Sequence, residues 1–325
     1  MTPVAVVIPT FRRPESLERA LRSVLAQDRL AALAAEIAVV DNDPDGSARA
    51  TVSRLQQEGA PVLYVHARDP GVSNARNAGL AATRAPLIAF IDDDEEAPPH
   101  WLATLHAAHQ SLGADVTFGP VRGRADAAAD WKRAYLERFF SREGPRETRV
   151  IDDPYGCGNS MMTRATALRG PAPFDVTANQ TGGEDDRLFA VLQAEGRRFG
   201  WAADAWLWEH APASRRTARY ALTRAFGFGQ SPSQIAARAG DWGCVAKWMA
   251  IGAAQAAVFG AAALALAPFG RARALPYADR AAHGLGKVIW FATLRFYGRT
   301  GSSSSAPSRR SGAANLNAMA AKITQ

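Results

Sequence analysis

The sequence predicts an α/β protein whose mostly parallel sheet is covered by helices on both faces and is followed by a helical C-terminal region. Three observations carry this. Short runs of β-branched and small apolar residues at 4–8, 36–40, 62–65 and 87–91 have the unbroken apolar character of strands buried on both sides. Between them, apolar residues recur at helical spacing, so strands and helices alternate. The stretch 248–270 contains no charged residue and sets the C-terminal part apart.

Residues 4–8 end at Pro9 and Thr10 and are followed by Pro14, Leu17, Ala20, Leu21, Val24 and Leu25, which reads as strand, loop and helix. The second strand, 36–40, is closed by the polar run from Asp41 through Asn42, Asp43, Pro44 and Asp45 to Gly46. The third, 62–65, ends at a polar loop. A helix over 74–83 then leads into the fourth strand, 87–91, which stops at Asp92, Asp93 and Asp94. Open α/β sheets bind ligands at the C-terminal ends of their strands, and here those ends carry Pro9, Thr10, Asp41 and the three aspartates. Beyond 115 the alternation loosens into a mixed α+β half, with a strand at 116–119 and a Gly- and Asp-rich loop at 152–160. After about 212 the chain is basic over 215–224 and uncharged over 248–270, and the Ser-rich end from 301 carries too little apolar surface to fold.

The 325 residues, 47% hydrophobic and 21% charged, are enough for one large core or two modest ones, which excludes disorder as the default. A net charge of +7 suits nucleotides, phospholipid headgroups or nucleic acid without choosing among them. Two cysteines, Cys157 and Cys244, exclude a disulfide framework and a Cys-rich zinc site and point to a reducing compartment. The first ten residues run straight into a strand, without a basic n-region, a long apolar segment or a cleavage site, which places the catalytic part in the cytosol.

Three consecutive aspartates repel one another unless a cation compensates them. Carboxylate oxygens suit Mg²⁺ or Mn²⁺, and Mg²⁺ is commonly held by one or two carboxylates together with substrate phosphates. A solvated acidic turn is the alternative for an isolated run. Here an apolar strand feeds directly into the cluster, and Trp101 and Leu102 begin a helix shortly after it.

In this setting the chain resembles the family 2 glycosyltransferases of GT-A fold, and among them the bacterial exopolysaccharide glucosyltransferases of the succinoglycan type. The matching stretches are VVIPTFRRPESLERALRSVLAQ (6–27), VVDNDPDGSA (39–48), DPGVSNARNAGLAATRAPLIAFIDDDEEAPPHWL (69–102), YGCGNSMMTR (155–164) and GGEDDRLF (182–189). Each alone is weak; their order over about the first 210 residues is specific. The resemblance implies a GT-A type, Rossmann-like mixed sheet with helices on both faces. Within it, residues 1–115 are the nucleotide-sugar-binding half and 116–212 the acceptor-binding half of the same domain; the composition beyond adds a helical, membrane-associated region (213–300) and a disordered tail (301–325).

The same resemblance assigns the nucleoside to Pro9, Thr10 and Asp41, the last of which equally suits an Asx turn. It places Arg76 toward the nucleotide, where a cation near a helix start favours phosphate; a helix-surface arginine is the alternative. Asp92 and Asp94 flank the ribose and the metal, with Asp94 the direct ligand and Asp92 a second one, and His210 is a third candidate ligand as a neutral imidazole. Asp185, with Glu184 in support, matches the family's acceptor-activating acid; helix capping is its rival role. Asn159 and Ser160 fall in the acceptor loop, and Cys157 reads as a small buried residue. One position departs from the pattern. Where the family often has another acid two places after the base, this chain has Arg187, which leaves either Asp186 sharing the role or Arg187 meeting a charged acceptor such as a lipid diphosphate.

The uncharged stretch 248–270 is long enough to cross a bilayer, but Ala dominates it and Gln255 interrupts it. Gly252, Ala256 and Gly260 form a small-residue face suited to close helix packing. Arg271, Arg273, Arg280 and Lys287 follow, then a second apolar run at 288–297 with Trp290, Phe291, Phe296 and Tyr297, a combination that marks a headgroup boundary. An interfacial or re-entrant hairpin fits best, with a true crossing and a soluble helical cap as alternatives.

Together these expectations describe an inverting, metal-dependent glycosyltransferase at the cytosolic face of the inner membrane. It uses Mg²⁺ or Mn²⁺, takes a hexose from a nucleoside-diphosphate sugar, UDP by analogy, and adds it to a saccharide or polyprenyl-linked saccharide in surface polysaccharide synthesis, with no nucleic-acid partner. A metal-dependent sugar nucleotidyltransferase or phosphohydrolase is the alternative, although residues 8–16 lack the Gly-rich, Lys-containing phosphate loop common in such enzymes. A non-catalytic membrane-associated binding protein is a third class, which the full set of acidic sites disfavours.

Overall fold

A computed structural model of the chain describes residues 2–180 and 183–292. Gly182 of the acidic motif, residues 293–297 of the second apolar run and the tail at 301–325 lie outside the described residues. The first half runs β1 (Val4–Thr10), α1 (Pro14–Leu25), α2 (Leu30–Leu33), β2 (Ala34–Asp41), α3 (Arg49–Gln57), β3 (Leu63–His66), α4 (Val72–Ala82), β4 (Leu87–Phe90), β5 (Glu95–Glu96) and α5 (Trp101–Leu112). It continues through β6 (Val116–Phe118), β7 (Val121–Arg124), α6 (Asp130–Phe140), β8 (Arg149–Ile151), β9 (Ser160–Thr163), α7 (Arg164–Ala167), α8 (Glu184–Ala194), β10 (Phe199–Trp201) and β11 (Leu207–His210). Three long helices follow: α9 (Ala218–Arg238), α10 (Trp242–Leu266) and α11 (Arg271–Val288).

Strand alternation explains why β1 is apolar throughout. Val4, Val6 and Ile8 face one side, where they meet Leu17, Leu21 and Val24 of α1, Val52 and Leu55 of α3, and Trp101, Leu102 and Leu105 of α5. Ala5 and Val7 face the other, against Ala75 and Leu80 of α4 and Leu188, Phe189 and Leu192 of α8. Each such large aliphatic side chain contributes about 1.5–3 kcal/mol when fully buried, so both faces of the strand are driven inward. The helices therefore lie on both faces of the sheet, as the sequence predicts.

Eight strands form the main sheet in the order β3-β2-β1-β4-β9-β6-β10-β8. The block β3-β2-β1-β4 is parallel, as the buried apolar runs imply. The mixed character comes later. β9 runs antiparallel between β4 and β6, and β8 runs antiparallel to β10. Because Ser160 pairs with Phe90, the start of β9 lies at the C-terminal end of β4. The loop that precedes β9 is thereby delivered to the aspartates that follow β4. A second sheet, β5-β11-β7, pairs Glu209 with Glu95 in antiparallel register and sets β11 beside the same aspartates.

The three C-terminal helices pack closely through glycines. A Cβ added at Gly229 would lie 2.0 Å from the His283 carbonyl, at Gly286 2.0 Å from the Phe226 carbonyl, and at Gly252 2.6 Å from the Gly284 carbonyl. Of the predicted small-residue face, Gly252 and Ala256 are used, both against Gly284, while Gly260 faces open space. Tyr135 Oη donates to Asp279 at 2.7 Å and Lys132 Nζ to the Arg216 carbonyl at 2.7 Å, tying α6 to this bundle. The span Trp242–Phe269 is long and apolar enough to cross a membrane, with mean hydropathy 1.8, and Ile251, Val258, Leu264 and Phe269 are exposed along it.

Candidate functional site

The three aspartates after β4 take three different environments. Asp93 is buried; Thr10 Oγ1 donates to it at 2.7 Å and Arg13 Nη1 at 2.9 Å, while burial and the neighbouring Asp94 raise its pKa to about 6. Arg13 Nη1 also donates to Asp94 at 2.8 Å, so one guanidinium clamps two carboxylates and fixes the loop after β1 on the end of β4. Asp92 lies deep among protein atoms yet keeps 40% of its side chain open to the cleft, and its nearest cation is Arg76 Nη2 at 3.7 Å. Burial raises its pKa, Arg76 draws it back, and Asp94 and Asp185 raise it further. Glu95 accepts the Asp92 N–H at 2.8 Å and is itself buried, with its pKa pushed well up by burial and by Asp92.

The second acidic group arrives on α8. Gly183 precedes the helix at φ +80°, a left-handed conformation suited to glycine, so Glu184, Asp185 and Asp186 occupy the first helical turn, where the dipole favours carboxylates. The capping position is thus filled by Gly183 and not by an acid. Glu184 is buried and accepts from Arg76 Nη1; burial raises its pKa against the pull of that arginine. Asp185 accepts the Cys157 N–H at 3.1 Å and the Asp186 N–H at 3.0 Å. Its partner Cys157 is a buried residue whose thiol is held neutral by burial.

The loop before β9 closes the cleft between the two groups. A Cβ at Gly158 would meet Asp92 Oδ2 at 2.7 Å and Glu95 Oε1 at 3.0 Å, so only glycine lets the backbone sit on these acids. Asn159 pins the loop: its Nδ2 donates to the carbonyls of Pro120 at 2.7 Å and Ala205 at 2.8 Å, and its Oδ1 accepts from Trp101 Nε1 at 2.8 Å. Ser160 Oγ donates to the Cys157 carbonyl. Both side chains therefore shape the loop and are spent on the chain itself.

Asp92, Asp94, Glu184 and Asp185 are thus brought to one cleft, with Arg76 buried between its two halves. Thr10 reaches the same place by holding Asp93, and Pro9 precedes it on β1. Two predicted residues are not among them. Asp41 is fully buried, and its carboxylate is taken by the N–H groups of Asp43 at 3.1 Å and Ala48 at 2.8 Å and by Tyr64 Oη at 2.9 Å, the turn-forming use of an aspartate. His210 turns its ring to the opposite side of β11 from Glu209, where Nε2 and Glu96 Oε2 are 2.6 Å apart and burial lowers its pKa. The reason is strand alternation, which sends successive side chains to opposite faces. Arg187 bonds to Asp175 and to Thr177 Oγ1 on the outer flank of α8 and is not directed at the cleft acids.

Four cleft residues escaped the sequence analysis. Glu209 faces Asp94, Asp92, Arg142 and Arg215, and burial and Asp94 push its pKa upward. The alternation within Leu207, Trp208, Glu209 and His210, with Leu207 buried, would have selected Glu209 over its neighbour. Glu95 adjoins the aspartates in sequence, and Arg13 follows the first strand. Arg142 carries no sequence signal; it reaches the cleft only because its backbone forms a two-way bridge with Val121. An open depression of about 600 Å³ elsewhere is lined by Asp28, Arg29, His100 and Thr148, and none of the cleft acids borders it.

An acid-lined cleft at the C-terminal edge of a sheet suits a cation and a polyanionic ligand. The family model described as glycosyl transferase family 2 matches residues 5–169, which includes β1, the three aspartates and the loop before β9. The chain belongs to this family. Its mixed sheet with helices on both faces is accordingly a GT-A fold, and family 2 enzymes take their sugar from nucleotide-sugar donors. The chain is 31% identical over 236 residues to the succinoglycan biosynthesis protein ExoM of Rhizobium meliloti (strain 1021), covering 72% of this chain and 75% of that one. It is 30% identical over 156 residues to the undecaprenyl-phosphate 4-deoxy-4-formamido-L-arabinose transferase of Pseudomonas fluorescens (strain SBW25), covering 47% and 45% of the two chains. Among solved structures, S. aureus TarS 1-349 aligns with a TM-score of 0.49 at 15% identity, over 68% of this chain and 64% of that one.

Proposed function

We propose that the chain is an inverting, metal-dependent hexosyltransferase that moves a sugar from a nucleoside diphosphate, UDP by analogy, to a saccharide or lipid-linked saccharide in surface polysaccharide synthesis. The observation that carries this is the meeting of Asp92 and Asp94 with Glu184 and Asp185 around Arg76, from positions almost a hundred residues apart. The likeness to a succinoglycan biosynthesis protein and to an undecaprenyl-phosphate sugar transferase supports the polysaccharide and lipid-linked setting.

Among the described residues no three Asp, Glu, His or Cys side chains converge closely enough to hold an ion unaided. Mg²⁺ and Mn²⁺ need only one or two carboxylates when phosphate oxygens complete the shell, and Asp92 and Asp94 supply these. Asp92 fits that role because it is an open carboxylate pressed by like charges, with no cation nearer than 3.7 Å. Glu209 takes the supporting place first expected of His210. Asp92 and Asp94 would hold such an ion, which would supply Lewis-acid stabilisation of the charge on the leaving diphosphate.

The chain's own residues do the rest. Arg13 and Thr10 keep Asp93 and Asp94 in place at the end of β4. Arg76 holds Glu184 and thereby the first turn of α8, from which Asp185 takes the proton of the acceptor hydroxyl as the new bond forms at the anomeric carbon. Residues 1–115 serve the donor, 116–212 the acceptor, and the helices from 213 seat the enzyme on the cytosolic side of the membrane through the exposed apolar side of α10.

A panel of nucleotide sugars with Mg²⁺ or Mn²⁺, scored for nucleotide release with and without membrane lipid extract, tests the reading. It expects release from one donor class that the extract stimulates. No release from any donor under any of these conditions would remove it.

A further inference from the structure

We infer that α10 lies lengthwise along an anionic phospholipid leaflet and does not cross it, with α11 and α9 between it and the domain that carries the cleft. The inference rests on the membrane seating proposed above and specifies its geometry and its lipid. α11 returns antiparallel along α10: Gly284 meets Gly252, and the rings of Tyr277 and Phe259 are 6.4 Å apart. Away from α10, the same helix is tied to α6 at two points. At the tip of the hairpin Arg271 lies over the Trp131 ring, 6.0 Å from its centroid, and further along Asp279 accepts from Tyr135 Oη at 2.7 Å. Toward its C-terminal end Gly286 packs on the Phe226 carbonyl of α9. A hairpin that crosses a bilayer needs a tip free to reach the far side. Here the tip is stacked on the domain that carries the cleft, so the hairpin is laid along that domain.

A crossing would also carry charge inward. Arg280 stands 5.2 Å from the centroid of the Phe259 ring, within the apolar span Trp242–Phe269, and it is adjacent in the chain to Asp279. Charged side chains are strongly disfavoured at the centre of a bilayer. Laid flat, the same residues agree with their surroundings. The apolar span is scarcely buried within the chain, and Ile251, Val258, Leu264 and Phe269 are exposed along it, followed directly by the exposed Arg271 and Arg273. Residues 213–292 hold ten basic and two acidic side chains, a net +8 with neutral histidines, against +7 for the whole chain. Both acids are engaged within the protein, Asp279 by Tyr135 and Asp241 by the Cys244 N–H at the start of α10. An apolar face with such an excess of cations around it matches the acyl boundary and the phosphates of an anionic leaflet. The same charge repels a second copy of the face, which favours lipid over self-association as its occupant.

Two measurements on the full chain test this. In the first, binding to vesicles of phosphatidylcholine, alone or mixed two to one with phosphatidylglycerol, is followed by sedimentation. Binding should be tighter on the mixed vesicles. Replacing both Arg271 and Arg273 by Gln should weaken it there about 30-fold, the worth of two basic residues near an anionic surface, and Val258→Asp should weaken it at least about tenfold on either lipid. All three positions are exposed, so these variants should fold, which thermal unfolding verifies. In the second, a membrane-impermeant maleimide is applied to sealed inverted membrane vesicles carrying Ala239→Cys or Ala272→Cys in a Cys244→Ser background, where the remaining Cys157 is buried. Both ends of α10 should react from outside. A cysteine at one end that reacts only after detergent opens the vesicles would show a crossing and overturn the inference while leaving the seating intact. Indifference to phosphatidylglycerol would overturn the anionic leaflet, and absence of binding to either vesicle would remove the seating as well. A lipid-free dimer that Val258→Asp dissolves, with vesicle binding unchanged, would assign the face to a second copy instead. None of these readouts involves sugar transfer, so the donor panel decides the transferase reading separately.

Discussion

The guanidinium of Arg76 sits between Glu184, to which Nη1 donates, and Asp92, 3.7 Å from Nη2, so one buried cation joins the end of β4 to the first turn of α8. Burial opposes its charge, and Asp92, Glu184 and Asp185 outweigh burial, leaving the arginine firmly protonated. Removing one partner of such a pair strands the other charge in a dry setting, which costs about 3–5 kcal/mol. Arg76→Met should therefore lower the unfolding free energy extrapolated from urea titration by that amount and abolish transfer. Arg76→Lys should restore part of the stability but less of the activity, because an ammonium cannot span both acids in the same geometry. A methionine variant as stable as the original would show that the pair contributes nothing.

Asp185→Asn keeps the side-chain shape and its contact with the Cys157 N–H while removing the proton acceptor. Loss of a general base costs about 10²–10⁴-fold, so transfer should fall within that range while donor binding, followed by titration of the nucleotide, stays within about threefold. Near-normal transfer would show that another group takes the proton.

Glu209 and His210 are adjacent in sequence and point to opposite faces of β11, so they separate cleanly in a test. Glu209→Gln should lower transfer about tenfold or more and weaken Mn²⁺ binding, read directly from the paramagnetic signal of the free ion. His210→Gln should leave both within about threefold, because its imidazole serves Glu96. The opposite result would return the ligand role to the histidine.

The parallel block and both acidic groups were legible because their signals are local. An unbroken apolar run marks a doubly buried strand, and an acidic run directly after it marks that strand's C-terminal end, whichever residues lie elsewhere. The antiparallel insertion of β9 was not legible from residues 160–163, since Ser160, Met161, Met162 and Thr163 show no distinctive period and owe their place to the neighbours β4 and β6. Arg142 was hidden for the same reason, its position being set by a bridge to Val121 across an intervening helix. For Asp41 the sequence allows both a turn and a ligand role, and the hydrogen bonds from the Asp43 and Ala48 N–H groups are those of the turn.

The helical bundle offers a paired test. Gly252 faces the Gly284 carbonyl, while Gly260, two turns on, has nothing within 4 Å. Gly252→Leu should separate α10 from α11 and destabilise the bundle by about 1–3 kcal/mol or more, whereas Gly260→Leu should be neutral or slightly stabilising through better helix propensity. Equal effects in thermal unfolding would contradict the packing.

His109 provides a pH dependence of stability away from the cleft. It is 2% exposed on α5, with Nδ1 at 2.9 Å from Thr117 Oγ1 and Nε2 at 2.9 Å from Thr163 Oγ1, and burial lowers its pKa from 6.5 to about 4. The folded protein therefore binds fewer protons than the unfolded chain between these values, and the neutral ring's contribution is complete above pH 6.5. As the pH falls toward 4 the unfolded state gains protons that the fold refuses, and stability declines by about 3 kcal/mol across the window. His109→Gln, which keeps a donor and an acceptor but cannot titrate, should flatten that part of the curve. Urea midpoints measured from pH 7 to pH 4 would show the two proteins diverging at high pH and converging at low pH; parallel curves would mean that His109 is not the group responsible.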